Sequence, residues 1–236
     1  MPSRTQLLAI LCLVAVADTG AQSGAWRQCV TDTSAAAIDV CTSIINLDPT
    51  NDGAFVNRGI AYRRLGDLQH ALRDYDQAIR LNPQAADAFN NRGNTYRALA
   101  ELDKAISDYN EAIRLNPDYA HAYNNRGVIF LETGEPALAA ADFAHAIDCD
   151  PGYANAYRNR GLARTDQRLF DEAIDDFEQA FKLNPEFGHG AEYAVALFGR
   201  GMARQRSGDP AGAADIREAK RLLPDVADVM EGEGVR

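Results

Sequence analysis

Residues 84–117 read QAADAFNNRGNTYRALAELDKAISDYNEAIRLNP, and segments of the same pattern lie on both sides of them. The triplet Asn-Arg-Gly within this stretch occurs four times, always 34 residues apart. A proline keeps the same interval at Pro49, Pro83, Pro117, Pro151 and Pro185. A constant interval of this length is typical of repeat proteins, in which each repeat is one supersecondary element. A catalytic site is usually needed once, so a fourfold signature predicts a structural or binding role.

Small and aromatic residues in this stretch predict two helices. Phe89, Gly93 and Tyr96 are spaced i, i+4, i+7 and therefore fall on one helical face. A second set with the same spacing follows: Ala105, Tyr109 and Ala112. The small residues let the helices approach closely, the rings fill the remaining space, and the proline ends the second helix. One such hairpin cannot bury its apolar face alone, so neighbouring repeats must stack.

This interval, with its glycine, alanine, aromatic and proline positions, resembles the tetratricopeptide repeat. The resemblance implies an all-α fold, an α-solenoid of stacked helix–turn–helix repeats of 34 residues. The fourth repeat departs from the pattern, because Arg164 replaces an aromatic residue. The predicted division of the chain is a signal peptide at 1–21, a degenerate capping repeat at 22–50, four repeats at 51–83, 84–117, 118–151 and 152–185, a degenerate fifth repeat with an insertion at 186–224, and a tail or cap at 225–236.

The N-terminal residues predict export. After Arg4, an apolar run of about eleven residues at 7–17 precedes small and polar residues, which fits a secretory signal peptide. The run is too short to span a bilayer, which takes about 20 apolar residues. Cleavage after Ala21 is the preferred prediction, with cleavage after Ala17 and a retained anchor helix as alternatives. We expect a bacterial protein, periplasmic or secreted, without stable membrane insertion after signal removal.

The cysteines fit such a location. Cys29 and Cys41 are expected to form a disulfide bond in an oxidising compartment, with a free pair as the alternative. The bond would close a loop of about a dozen residues and add roughly 3 kcal/mol to stability. Cys149 stands where the other repeats carry leucine, so it is expected to be a small buried hydrophobic residue.

Charge and motifs exclude several classes of function. A net charge of −10 argues against nucleic-acid binding, which relies on cations to replace phosphate counterions, and against attraction to anionic membranes. The sequence contains no phosphate-binding loop, H-E-x-x-H, paired C-x-x-C or G-x-S-x-G motif. We therefore predict that the chain is not an enzyme, takes no cofactor and holds no metal.

The asparagine of the triplet lies on the first helix, opposite its packing face. In tetratricopeptide proteins this stripe lines the concave groove. An asparagine there resembles the ladder in the O-linked N-acetylglucosamine transferase repeats, where each amide bonds the backbone of an extended peptide. A carboxamide suits this role because it offers donors and an acceptor together. The resemblance implies a ladder at Asn57, Asn91, Asn125 and Asn159; hydrogen bonding within the solenoid is the alternative.

Further polar residues share this stripe and complete the predicted peptide-binding groove: Asn90, Asn94, Asn124, Arg63, Arg97 and Arg158. The stripe is neutral to slightly basic and the second helices are acidic, so the expected ligand is a neutral or mildly acidic segment. A two-carboxylate clamp, which holds chaperone C-termini in related repeats, needs several basic residues on the stripe. Of the positions that form it, only Arg158 is basic, so a full clamp is absent.

The arginine of the triplet is interpreted as architecture. It borders the packed face of the first helix, and an aspartate borders that of the second helix in the same four repeats. We predict Arg–Asp bridges, within a repeat or to its neighbour, in which the arginine stem provides the packing of a leucine. The arginines are Arg58, Arg92, Arg126 and Arg160, with Arg200 in the fifth repeat; the aspartates are Asp74, Asp108, Asp142, Asp176 and Asp215.

These observations predict a non-enzymatic protein–protein interaction module. The preferred form is an exported adaptor or scaffold that binds an extended peptide segment in its groove. The alternative is a structural subunit of a cell-envelope assembly that uses its ends or convex face. The sequence leaves the partner and the oligomeric state open.

Overall fold

The computed structural model describes residues 23–31, 35–185 and 191–232 of the chain. These ranges contain helices and no strand, which confirms the predicted all-α solenoid of helix pairs. The apolar run at 7–17, both predicted cleavage points and part of the insertion lie outside them. The helices are α1 (23–31), α2 (Ala36–Leu47), α3 (Asp52–Arg64), α4 (Leu68–Leu81), α5 (Ala86–Ala98), α6 (Leu102–Leu115), α7 (Ala120–Glu132), α8 (Pro136–Cys149), α9 (Ala154–Asp166), α10 (Phe170–Leu183), α11 (Ala191–Ser207), α12 (Gly212–Leu222) and α13 (Val226–Gly232).

The chain divides into two compact units, and the boundary lies inside α6. The N-terminal unit ends at Asp108 and the C-terminal unit begins at Tyr109. None of the helices in the described ranges is long and apolar enough to cross a membrane.

Close contact between α3 and α4 forms the core of the N-terminal unit. Tyr75 of α4 is fully buried. A Cβ atom added at Gly59 of α3 would lie 2.7 Å from Cε1 of this ring. The glycine of the triplet is therefore required by packing, as the sequence predicts.

The C-terminal unit repeats this arrangement. Phe143 of α8 and Phe177 of α10 are fully buried, and Cβ atoms added at Gly127 and Gly161 would lie 2.8 Å from their Cε1 atoms. In α13, Val226 and Met230 are buried in the same core as the helices before it, so this segment of the tail is a cap.

A left-handed residue turns the chain between the two helices of each repeat. Glycine supplies it twice, at Gly66 (φ +81°) and Gly134 (φ +79°). Ala100 (φ +58°) and Arg168 (φ +61°) take the same place in the other two repeats. A non-glycine residue in this region is strained, so these two turns are held by the packing of the helices around them.

The predicted Arg–Asp bridges are present within the repeats. Arg126 donates from Nε to Oδ2 and from Nη2 to Oδ1 of Asp142, both at 2.7 Å. The hydrogen bonds to Asp142 raise the pKa of the Arg126 guanidinium. Its guanidinium also lies over the Tyr123 ring, 5.7 Å from the centroid. The same pairing joins Arg58 to Asp74, Arg92 to Asp108, Arg160 to Asp176 and Arg200 to Asp215.

The same arginines also bind the preceding repeat, which the sequence analysis did not resolve. Arg126 donates from Nη1 to Asn110 Oδ1, sixteen residues earlier. Equivalent bonds run from Arg92 to Asp76 at 2.7 Å and from Arg58 to Thr42 at 3.0 Å. Each of these three guanidiniums therefore ties its own hairpin together and links it to the hairpin before.

The fourth repeat differs in two ways. Ala144 stands sixteen residues before Arg160 and offers no side-chain acceptor. Arg164, in the aromatic position, donates from Nη1 to Asp176 Oδ2 at 2.7 Å, so Asp176 accepts from two arginines. The arginine is accommodated in the aromatic position because its guanidinium reaches this buried carboxylate on the facing helix.

The cysteines follow the predicted pairing in part. The sulfur atoms of Cys29 and Cys41 are 2.07 Å apart and join α1 to α2. Cys149 is free and half-buried, so the expectation of a fully buried residue is wrong. Leu81, Leu115 and Leu183 are half-buried as well, which shows that this position lies at the edge of the core in every repeat.

Candidate functional site

The first two asparagines of the predicted ladder lie half-buried on α3 and α5 of the N-terminal unit. Asn57 donates from Nδ2 to the carbonyl oxygen of Gly53, and Asn91 donates to that of Asp87, both at 2.9 Å. These bonds to the preceding helical turn fix the orientation of each amide. Neither side-chain oxygen has a hydrogen-bond donor in the described part of the chain, so each can accept one from a ligand.

The fourth asparagine of the ladder is placed differently. Asn159 of α9 is buried and donates from Nδ2 to Oδ1 of Asn124 of α7 at 3.0 Å. Its own Oδ1 accepts a hydrogen bond from Nη2 of Arg158 at 3.1 Å. Both the nitrogen and the oxygen of the Asn159 amide are thus hydrogen-bonded within the protein. The bond to Asn124 links the first helices of the third and fourth repeats.

The other predicted groove residues vary in exposure. Asn94, Asn125, Arg63, Arg97 and Arg158 are half-buried, whereas Asn90 is buried. Burial raises the pKa of Tyr75 to about 12, and the positive charge of the nearby Arg63 opposes this rise. Arg63 therefore takes part in the packing of its own hairpin.

Aromatic rings surround His121, which is exposed on α7. The imidazole lies 6.2 Å from the Tyr119 ring and 4.9 Å from the Tyr153 ring, edge to face in both cases. The two tyrosines immediately precede α7 and α9. Sequence analysis restricted to helical positions missed this cluster, because two of its members belong to the turns.

An acidic group with a perturbed pKa lies at the C-terminal end of α9. Oδ1 of Asp166 is buried and has no hydrogen-bond partner in the described part of the chain. Burial raises the pKa of this carboxyl to about 6, and the charge of Arg206 opposes the rise. A carboxyl in such surroundings changes its charge at mildly acidic pH.

Replacing Asp166 by asparagine is expected to raise the melting temperature at pH 7.5 and to leave it nearly unchanged at pH 4. An unfolded aspartate has a pKa of about 3.9. With a pKa of about 6 in the fold, the carboxyl disfavours folding as the pH rises from about 4 through 6. Circular dichroism melts at both pH values test this, with Asp103→Asn, at an exposed position, as the control. An equal effect at both pH values contradicts the prediction.

Metal ligands are not grouped on the described residues. Within residues 23–31, 35–185 and 191–232, no group of three or more histidine, cysteine, aspartate or glutamate side chains could hold a metal ion.

Comparison with known proteins gives consistent matches. Models of the tetratricopeptide repeat match residues 59–99, 93–134, 120–153 and 154–187, which together exceed half of the chain. No curated protein sequence matches the chain.

Several solved structures have the same fold. The structure of YrrB, described as a TPR protein with an unusual peptide-binding site, has 21% identity and a TM-score of 0.63, covering 81% of this chain and 97% of that one. A MamA structure has 28% identity and a TM-score of 0.56, covering 64% and 88%. The structure of pilF from Pseudomonas aeruginosa has 17% identity and a TM-score of 0.70, covering 84% and 87%.

Proposed function

The chain belongs to the tetratricopeptide repeat family, whose members are generally non-enzymatic protein-interaction modules, and on that premise we propose that it binds an extended peptide segment. The peptide lies along α3 and α5 of the N-terminal unit, and the protein acts as an exported adaptor or scaffold.

The observation that supports this proposal most directly is the hydrogen bonding of the Asn57 and Asn91 side chains. Each amide nitrogen is held by its own helix at 2.9 Å, and each amide oxygen has no donor among the described residues. An extended peptide has backbone N–H groups that can donate to such oxygens. A ligand without regular N–H groups gains nothing from acceptors repeated at this interval. The peptide-binding site named for YrrB is a property of that protein and is consistent with the proposal.

Export is the second part of the proposal. It rests on the apolar run at 7–17 in the sequence and on the bonded pair Cys29 and Cys41. Disulfide bonds persist mainly in oxidising compartments such as the bacterial periplasm. N-terminal sequencing of the protein from a cell-envelope extract tests this part, and a chain beginning at Gln22 is the expected result. A chain that retains Met1 in the cytosol contradicts it.

A peptide-display experiment tests the binding role. The chain from Gln22 onward, immobilised with its disulfide intact, is expected to enrich peptides from a random decapeptide library. The double variant Asn57→Ala/Asn91→Ala is expected to bind the enriched peptides about tenfold more weakly, because two hydrogen bonds of about 0.5–1.5 kcal/mol each are lost. The matched control is Gln69→Ala/Gln77→Ala, which removes two amides from the second helix of the first repeat. No enrichment, or equal loss in both variants, contradicts the proposal.

The alternative function, a structural subunit, is favoured by one surface of the N-terminal unit. Three large apolar side chains on α1 and α2 are exposed there: Trp26, Val30 and Leu47. Beside them lies a cavity of about 330 Å³ whose lining includes Trp26, Ile44 and Leu47. Contiguous exposed apolar surface often marks an interaction site. If envelope partners are lost with Leu47→Lys and retained with Asn57→Ala/Asn91→Ala, the structural role is the correct one.

A further inference from the structure

We propose that an apolar side chain of the bound peptide inserts into the pocket beside Trp26, at the start of α3. This inference rests on the proposed peptide-binding function and adds the chemistry of one ligand residue and its place in the peptide. Every residue involved belongs to the N-terminal unit.

The pocket lies between α1, α2 and the turn that precedes α3. It has a volume of about 330 Å³, and the apolar part of its lining consists of Ala25 and Trp26 of α1 and of Ile44 and Leu47 of α2. Trp26 is 39% exposed and Leu47 is 76% exposed. A ligand side chain that fills the pocket removes this apolar surface and its own from water, which favours binding.

The polar side chains in the lining are hydrogen-bonded within the chain. Oδ1 of Asp48 accepts two hydrogen bonds from Thr50, and Oδ1 of Asn51 accepts one from the backbone nitrogen of Ala54. The hydroxyl of Ser43 donates to a carbonyl oxygen one turn earlier on α2 at 2.9 Å. A polar ligand group would have to compete with these bonds, whereas an aliphatic or aromatic side chain needs no such partner.

The two walls of the pocket are joined covalently. Trp26 stands three residues before Cys29 on α1, and Ile44 stands three residues after Cys41 on α2. The disulfide bond between the two cysteines links these helices, and both cysteines are buried. A pocket whose walls are held in place before binding costs less conformational entropy when the ligand enters.

Gly53 connects the pocket with the first asparagine of the ladder. A Cβ atom added at Gly53 would lie 2.9 Å from Cη2 of Trp26, so the indole rests against the first turn of α3. The carbonyl oxygen of the same glycine accepts the hydrogen bond from Nδ2 of Asn57 at 2.9 Å. The equivalent residues of the other three repeats all carry side chains: Asp87, His121 and Asn155. Glycine at this one position therefore keeps the indole next to the amide that is proposed to bind the peptide.

The distance between the pocket and the amide predicts the spacing in the ligand. A helix rises 1.5 Å per residue, so Asn57 lies about 6 Å along α3 from Gly53. An extended peptide advances about 3.3 Å per residue, and every second side chain points to the same side. The apolar residue is therefore expected two residues away from the residue whose N–H group donates to Oδ1 of Asn57.

Two series of variants of one peptide test this inference. The decapeptide that binds most tightly in the display experiment is the probe, and its affinity is measured by fluorescence polarisation at pH 7.5 with the chain from Gln22 onward and its disulfide intact. In the first series each apolar residue of the peptide is changed to serine, and in the second each backbone N–H group is methylated. Both series are repeated with Trp26→Ala, Leu47→Ser and Asn57→Ala. The matched control is Leu138→Ser, which removes an exposed leucine from α8 of the C-terminal unit.

We expect one apolar residue of the peptide whose change to serine weakens binding to the wild-type chain at least tenfold. The same change is expected to weaken binding less than threefold with Trp26→Ala or Leu47→Ser, because part of the pocket is already missing. With Leu138→Ser the full tenfold effect remains. One methylated N–H group is expected to weaken binding to wild type and not to Asn57→Ala, at a position two residues from the apolar one.

The outcomes separate this inference from the proposed function. If one methylated position depends on Asn57 but no serine change depends on Trp26 or Leu47, the peptide binds without the pocket and the inference is wrong. A coupled apolar residue at a different spacing contradicts the placement of the pocket beside Asn57. A wild-type chain that enriches no decapeptide overturns both the inference and the proposed function. Circular dichroism spectra equal to that of wild type confirm that the variants are folded, and Leu47→Ser alone decides the matter if Trp26→Ala does not fold.

Discussion

Replacing Arg126 by alanine is expected to lower the free energy of unfolding by about 3–5 kcal/mol. The substitution leaves the carboxylate of Asp142, whose side chain is 6% exposed, without its two hydrogen bonds from the guanidinium. It also removes the bond to Asn110 of the preceding hairpin and the contact with the Tyr123 ring. The loss is large because a buried charge without a partner must either remain desolvated or take up a proton.

Urea unfolding followed by circular dichroism measures this effect, and a double variant separates charge from packing. Arg126→Leu/Asp142→Leu replaces the ion pair by apolar groups and is expected to be more stable than Arg126→Ala. The difference between the double variant and the sum of the single ones gives the coupling between the two side chains. A loss below about 1 kcal/mol for Arg126→Ala would place the bridge among surface ion pairs and contradict the prediction.

Replacing Gly161 by valine is expected to lower the free energy of unfolding by about 3 kcal/mol. Its first added atom would lie 2.8 Å from Cε1 and 3.0 Å from Cδ1 of Phe177, a ring that is fully buried. Because the ring is fully buried, we expect the added side chain to force α9 and α10 apart. The higher helix propensity of valine stabilises the fold by less than about 1 kcal/mol, so the steric clash makes the net change in the free energy of unfolding destabilising.

Thermal and urea unfolding of two further variants check this explanation. Gly24→Val, on a helix where nothing lies within 4 Å of the added atom, is expected to change stability by no more than about 0.5 kcal/mol. Phe177→Leu removes the ring atoms that meet the new side chain, so the double variant Gly161→Val/Phe177→Leu should be more stable than the sum of the single losses implies. Additive losses contradict the proposed clash.

The fold could be predicted from sequence because its signals are local and repeated. A glycine and an aromatic residue stand sixteen residues apart in each of the four repeats. The structure places one such pair, Gly59 and Tyr75, in contact. The bridge from Arg58 to Asp74 could be predicted in the same way, since both border the packed faces. The second bond of these arginines could not, because it depends on how far one hairpin is rotated against the next. The spacing of residues within a single repeat carries no information about that rotation.

The candidate site was less predictable for a similar reason. The helical wheel places Asn57 and Asn159 at the same position, yet one is half-buried and the other is buried against Asn124. Their environments differ because Asn159 donates to the amide oxygen of Asn124 in the preceding repeat, whereas Asn57 donates to the carbonyl oxygen of Gly53 in its own helix. The ring cluster around His121 depends on turn residues, which a helical periodicity does not include.

The missing acceptor at Ala144 has a consequence for how the C-terminal unit unfolds. In a stack of repeats, cooperativity comes from the interfaces between nearest neighbours. At one such interface Arg126 reaches back to Asn110, but Arg160 finds only a methyl group sixteen residues earlier. The junction between the third and fourth repeats therefore lacks the arginine bond and relies on the bonds from Asn159 to Asn124 and from Gln167 Nε2 to the carbonyl oxygen of Pro136. Amide hydrogens in α9–α12 are expected to exchange through openings that break these two bonds and leave α7 and α8 folded.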